Sequence, residues 1–116
     1  MNESIRTQKE FVKELSDYFS GLYGTKRCFD SESGFVFQKN LIRNYLFIGE
    51  NNIRSQITSF CKSRNLESRF KDNNFNVKIS DKNYNIIIHV DEKYAGDISV
   101  MLMPDITADL RDVIIN

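Results

Sequence analysis

Near the start of the chain, apolar residues recur at three- and four-residue spacing. Phe11, Val12, Leu15, Tyr18, Phe19 and Leu22 gather on one broad face, which predicts an amphipathic helix buried along one side. Thr7 followed by Glu10 fits a capping box, in which the hydroxyl accepts a backbone N–H three residues on and the carboxylate reaches back. Asn2 or Ser4 offers an earlier start. Gly21 and Gly24 mark the end, where a residue without Cβ takes the left-handed turn most readily.

Residues 25–34 read as a polar connector. Gly34–Gln38 and Asn44–Ile48 then concentrate aromatic and β-branched residues and predict two strands. Their turn falls at Lys39-Asn40 or at Arg43-Asn44, and the register follows from that choice. Ile53, Ile57, Phe60 and Cys61 lie on the i, i+4, i+7, i+8 stripe of a middle helix over residues 50–65. Asn51 or Asn52 is the expected N-cap and Asn65 the expected stop.

Alternation takes over from there. Leu66, Ser68 and Phe70 point one way, and Glu67, Arg69 and Lys71 the other. Phe75, Val77 and Ile79 face inward on the next strand, as do Tyr84, Ile86, Ile88 and Val90 on the one after. Asn85, Ile87 and His89 face outward. Turns are expected at Asn73-Asn74 and at Asp81-Lys82-Asn83, because Asn and Asp tolerate positive φ. A loop over 91–97 leads to a last strand, Ile98–Met103. Pro104 closes it, and Asp105 caps a short helix carrying Ile106, Leu110, Val113 and Ile114 on one face. The expected fold is α+β, with a mainly antiparallel sheet of five to six strands, an N-terminal amphipathic helix, a middle helix and a short C-terminal helix. Runs of strands separated by helices, in place of strict βαβ alternation, set that class. One domain is expected over residues 1–116.

Composition supports a packed core: nine Phe and five Tyr stand in a chain of 116 residues that is 41% hydrophobic and 28% charged. Cys28 and Cys61 lack CxxC spacing, and Cys61 falls on the apolar stripe of the middle helix. A single disulfide between them is left open. The opening residues MNESIRTQKE carry no apolar signal-peptide core, so an intracellular, cytoplasmic protein is expected. No apolar run approaches the ~20 residues that cross a bilayer. The Asn, Ile and Lys enrichment is what AT-biased coding produces, in phage and mobile elements as in low-GC bacterial genomes.

Charge adds a functional clue. The net charge is zero, yet residues 38–71 hold seven bases against two acids, while residues 72–116 hold eight acids against four bases. A folded chain with this layout can present surfaces of opposite sign. The basic candidates are Arg54, Lys62 and Arg64 of the middle helix with Arg69, Lys71 and Lys78 of the following hairpin. With the turn at Asn73-Asn74, Arg69 lies opposite Lys78, an arrangement that an anionic partner would relieve. Converging cations would hold phosphates; neutralised ones would not.

Catalytic signatures are absent: there is no phosphate-binding glycine loop, dinucleotide fingerprint, nucleophile elbow or zinc-ligand cluster. An enzyme would have to use His89, the single histidine, with Asp91 or Glu92. Asp105, Asp109 and Asp112 line one side of the C-terminal helix, which reads as a solvated face before it reads as a metal site. No cofactor and no metal are therefore expected. The leading expectation is a non-enzymatic regulatory or inhibitory module that binds another protein. Nucleic-acid binding through the six cations is the alternative. Homo-oligomerisation is left open, with Ile87 and the Phe35–Phe37 run as apolar positions a second copy would cover.

Overall fold

The computed structural model describes residues 5–24, 29–39, 42, 48–91 and 97–107. In chain order the elements are α1 (Gln8–Tyr23), β1 (Phe29–Asp30), β2 (Gly34–Gln38), α2 (Glu50–Ser63), β3 (Ser68–Lys71), β4 (Asn74–Ile79), β5 (Lys82–Val90) and β6 (Asp97–Pro104). The strands form one six-stranded sheet in the order β1-β2-β6-β5-β4-β3, and every neighbouring pair is antiparallel. The class is α+β. The expected strand over Asn44–Ile48 lies outside the described residues except for Ile48, which is buried. The C-terminal helix likewise lies outside them beyond Thr107.

α1 forms as its periodicity dictates. Thr7 is extended and its hydroxyl accepts the Glu10 N–H at 3.1 Å. The Glu10 carboxylate accepts in turn from the Arg6 N–H at 2.9 Å and the Thr7 hydroxyl at 3.2 Å. The helix runs past Gly21 and stops at Gly24, whose φ of 70° places it in the left-handed region. Replacing Thr7 with Ala is expected to cost about 1 kcal/mol in urea unfolding near neutral pH. The Arg6 backbone N–H, first among several causes, holds the Glu10 carboxyl below its usual pKa. A depressed carboxylate contributes stability above its unfolded pKa and loses it as pH falls through the folded one. Glu10→Gln should therefore show a shallower decline of the urea midpoint in acid than the parent protein.

α2 is capped earlier than expected, two residues before Asn51. Gly49 is the N-cap, and Asn52 works from the first turn, its carboxamide oxygen accepting the Gly49 N–H at 3.3 Å. At the other end Asn65 takes φ 57°. Its N–H donates to the Lys62 carbonyl and the Leu66 N–H to the Cys61 carbonyl, the paired bonds of a Schellman stop.

Both helices lie on one face of the sheet. Phe11 of α1 meets Phe60 of α2 edge-on at 5.6 Å, and Phe19 meets Phe35 of β2 edge-on at 5.8 Å. The inward strand positions (Phe35, Phe37, Phe75, Val77, Ile79, Ile86, Ile98, Val100 and Leu102 among them) are buried beneath them in one core. Phe35 and Phe37 are therefore not available to a second copy; the strand period turns them toward the helices and leaves Ile87 outside.

Three further expectations are corrected. The polar connector over 25–34 contains a strand, since Phe29 and Asp30 pair with Val36 and Phe35. The turn between β3 and β4 is Asp72-Asn73, with φ of 53° and 65°, and that between β4 and β5 is Ser80-Asp81, with φ of 49° and 67°. Both are two-residue turns with positive φ at each central position, matched to strand twist. The β3–β4 register therefore differs by two residues from the expected one. It places Phe70 opposite Phe75, with ring centroids 6.2 Å apart. Side chains keep their faces under a two-residue shift but change partners.

Candidate functional site

The sheet has a second face that no described helix covers. Its outward positions follow from strand alternation. Arg69 and Lys71 stand on β3, Asn76 and Lys78 on β4, and Asn85, Ile87 and His89 on β5. Ser99, Met101 and Met103 stand on β6, and Val36 on β2. The registers arrange them in rows across the strands. One row runs Gly34, Met101, Ile87; the next runs Met103, Asn85, Asn76, Arg69. Asp105 donates its N–H to the Asn83 carbonyl, and Asn83 is opposite Lys78, which makes a third row.

The middle of this face is apolar. Ile87 is 50% and Met103 44% exposed, with Met101 half-buried between them. The Met101 sulfur lies over Gly34, in the space a Cβ would need. Polar and charged groups surround this strip. Asn76 donates to an Asp105 carboxylate oxygen at 2.9 Å, while its own carbonyl oxygen is buried without a hydrogen-bond partner among the described residues.

The six cations singled out from the sequence do not share one surface. Arg69, Lys71 and Lys78 are on the uncovered face. Arg54 and Lys62 on α2 and Arg64 at its C-cap lie on the far side of the sheet. Arg69 stands opposite Asn76 and Lys71 opposite Asn74, so the expected opposition of Arg69 and Lys78 does not occur. The strand bond from the Lys78 N–H to the Glu67 carbonyl puts Glu67 there instead.

Three of the six already have carboxylate neighbours. Arg54 lies 3.5 Å from Glu50 and stacks 4.0 Å over the Phe70 ring. Arg64 lies 3.4 Å from Glu14 and stacks 4.0 Å over Phe60. Arg69 is 2.9 Å from Glu67. Lys62, Lys71 and Lys78 show no ion pair among the described residues. A fourth cation of the basic block, Lys39, is buried and donates to the Asp91 carbonyl at 2.9 Å.

A cleft of about 330 Å³ opens at the tip of the β3–β4 hairpin, lined by Glu50, Arg54, Phe70, Asn73, Asn74 and Phe75 with part of β5. The one guanidinium in it is committed to Glu50, Asn51 and the Phe70 ring. His89 is exposed on the uncovered face, opposite Ser99. Among the described residues, no three His, Cys, Asp or Glu side chains converge as metal ligands, and no helix is long and apolar enough to cross a membrane. Cys61 is a free, buried thiol. Burial pushes its pKa up to about 12, against a smaller opposing hydrogen bond with Ser68, so it is a poor nucleophile.

Met101 and Met103 were missed as site residues. Their signal was present: the last strand alternates, and positions 99, 101 and 103 fall on its outer side. What lifts them into a site is the neighbouring Ile87, which pairs with Met101 across 14 residues of sequence. No protein-family model, curated protein or solved structure matches the chain.

Proposed function

We propose that this chain is a non-enzymatic, intracellular regulatory or inhibitory module that acts by binding a protein through the uncovered sheet face. The observation that carries the reading is the composition of that face: an exposed apolar centre of Ile87, Met101 and Met103 within a rim of amides and charges. Protein interfaces have this anatomy, with an apolar centre that loses water and a polar rim. Isolated exposed apolar residues need no explanation, but a contiguous strip on an otherwise regular sheet does. Inhibition by occupation of a partner's surface requires a rigid scaffold and no catalytic group.

Nucleic-acid binding is the second reading, supported by Arg69, Lys71 and Lys78 on the same face. The split of the six cations and the pairing of three with carboxylates leave few free charges for phosphates. The two readings separate in one comparison. Tagged parent protein and Ile87→Lys are used to capture partners from a cell extract treated with nuclease, and both are titrated against mixed DNA and RNA at low and moderate salt. Protein capture that Ile87→Lys abolishes, without salt-sensitive nucleic-acid binding, is the expected result. Equal capture by both proteins would sink the protein-binding reading. Salt-sensitive binding lost on Arg69→Glu with Lys78→Glu would transfer the function to the alternative.

A further inference from the structure

We infer that the uncovered sheet face is self-complementary and pairs with the same face of a second copy of this chain. The twofold axis runs parallel to the strands, between β5 and β6. The inference rests on the reading of this face as a binding surface and names its occupant.

The strand registers carry the argument. Ile87 and Met101 are direct neighbours across β5 and β6. A twofold axis between these two strands exchanges them, laying Ile87 on Met101 of the second copy and Met101 on its Ile87. The apolar strip thus closes on itself, as an isologous interface requires. The same operation exchanges β4 with β2 and β3 with β1.

The charges follow the same symmetry. Within one copy, Lys78 and Asp105 stand in one row with Asn83 between them, about 10 Å apart at ~4.8 Å per strand. After the rotation, Asp105 of the second copy falls over β5, one strand from Lys78. The β3 edge comes over the turn between β1 and β2, where Glu32 is exposed, so that Arg69, which holds Glu67 within its own copy, has a second acid facing it across the interface. Glu67, the acid opposite Lys78, is occupied by Arg69 at 2.9 Å. A twofold axis perpendicular to the strands, placed through this row, would instead stack Lys78 on Lys78 and Asp105 on Asp105.

The size of the face is sufficient. From β2 to β4 it is roughly 20 Å wide, and along the strands roughly 25 Å long, so about 500 Å² per copy is covered. The total of about 1,000 Å² lies at the lower bound for a specific interface. A reversible dimer is the expected state.

The test is the mass in solution by sedimentation equilibrium, across a concentration series up to about 100 μM, where a micromolar interface is mostly occupied. The parent protein should move toward twice 13.6 kDa. Ile87→Lys changes a half-exposed side chain, so the fold should survive, and should weaken the dimer about tenfold or more. Pairing is then tested with two charge-reversed proteins, Arg69→Glu with Lys78→Glu, and Glu32→Lys with Asp105→Lys, each checked for a cooperative thermal transition. Each should be monomeric alone, and their mixture should form a heterodimer, because every cross-copy pair in the mixture is again of opposite sign. A monomeric parent protein at the highest concentration overturns the inference. So does a parent dimer unaffected by Ile87→Lys. A monomeric parent whose partner capture is still lost in Ile87→Lys leaves the binding-surface reading standing and removes only the second copy as occupant.

Discussion

Replacing Phe60 with alanine is expected to remove about 3–5 kcal/mol of stability. The ring is fully buried and joins the two helices: it meets Phe11 edge-on at 5.6 Å and Tyr18 at 5.4 Å, and the Arg64 guanidinium stacks on it at 4.0 Å. Truncation loses the transfer free energy of the ring and leaves a cavity that two helices and a sheet cannot close together. Since a domain's whole stability is about 5–15 kcal/mol, a substantial unfolded fraction at physiological temperature should follow. Urea unfolding checks this: the midpoint should fall sharply with the slope unchanged. A loss under about 1 kcal/mol would mean that α2 settles into the space and that Phe60 is not the joint between the layers.

Gly34→Ala should cost about 1–3 kcal/mol, although Gly34 lies in ordinary strand backbone and only one methyl is added. That methyl would meet the Met101 sulfur and the Val100 carbonyl oxygen. The sulfur sits on a flexible side chain and can swing away. The carbonyl belongs to the backbone of β6 and cannot. The strain therefore falls on the β2–β6 junction, and β1, bonded to the sheet through β2, should loosen with it. Faster hydrogen exchange at β1 and β2 amides than at β4 and β5 is the expected signature. Combining Gly34→Ala with Met101→Ala distinguishes the two clashes: full recovery of stability would show that the sulfur alone was responsible.

Much of the fold was legible because local rules and tertiary demands agree here. The three- and four-residue spacing of Phe11, Val12, Leu15 and Phe19 survives as the buried face of α1. The Thr7–Glu10 box and the Asn65 stop use side-chain and backbone bonds that span only a few residues. The alternation of Phe75, Val77, Ile79 and of Ile86, Val90 survives as the inner face of the sheet. Turn positions were harder. Asp72, Asn73 and Asn74 all tolerate positive φ, so composition does not choose among them. The choice falls to cross-strand packing, and the Phe70–Phe75 ring pair accompanies the register that forms. The short strand at Phe29–Asp30 had too few residues for any period to show.

The candidate site divides in the same way. Which side chains point outward on each strand was readable from alternation, Ile87 and His89 included. Which of them become neighbours was not.

The sequence by itself determined the two helices with their buried faces, the Thr7–Glu10 cap and the Asn65 stop, the inward and outward side of each strand, and the α+β class, because each depends on groups a few residues apart. The Gly49 cap of α2 was not among them. Only the tertiary structure decided that β2 lies beside β6, that Met101 adjoins Ile87, and that the six cations fall on opposite sides of one sheet. Those outcomes depend on strand order and register, which are set by contacts between residues tens of positions apart. A charge pattern along a chain is one-dimensional; here the sheet divides the basic block, and neighbouring carboxylates occupy half of the six candidate cations.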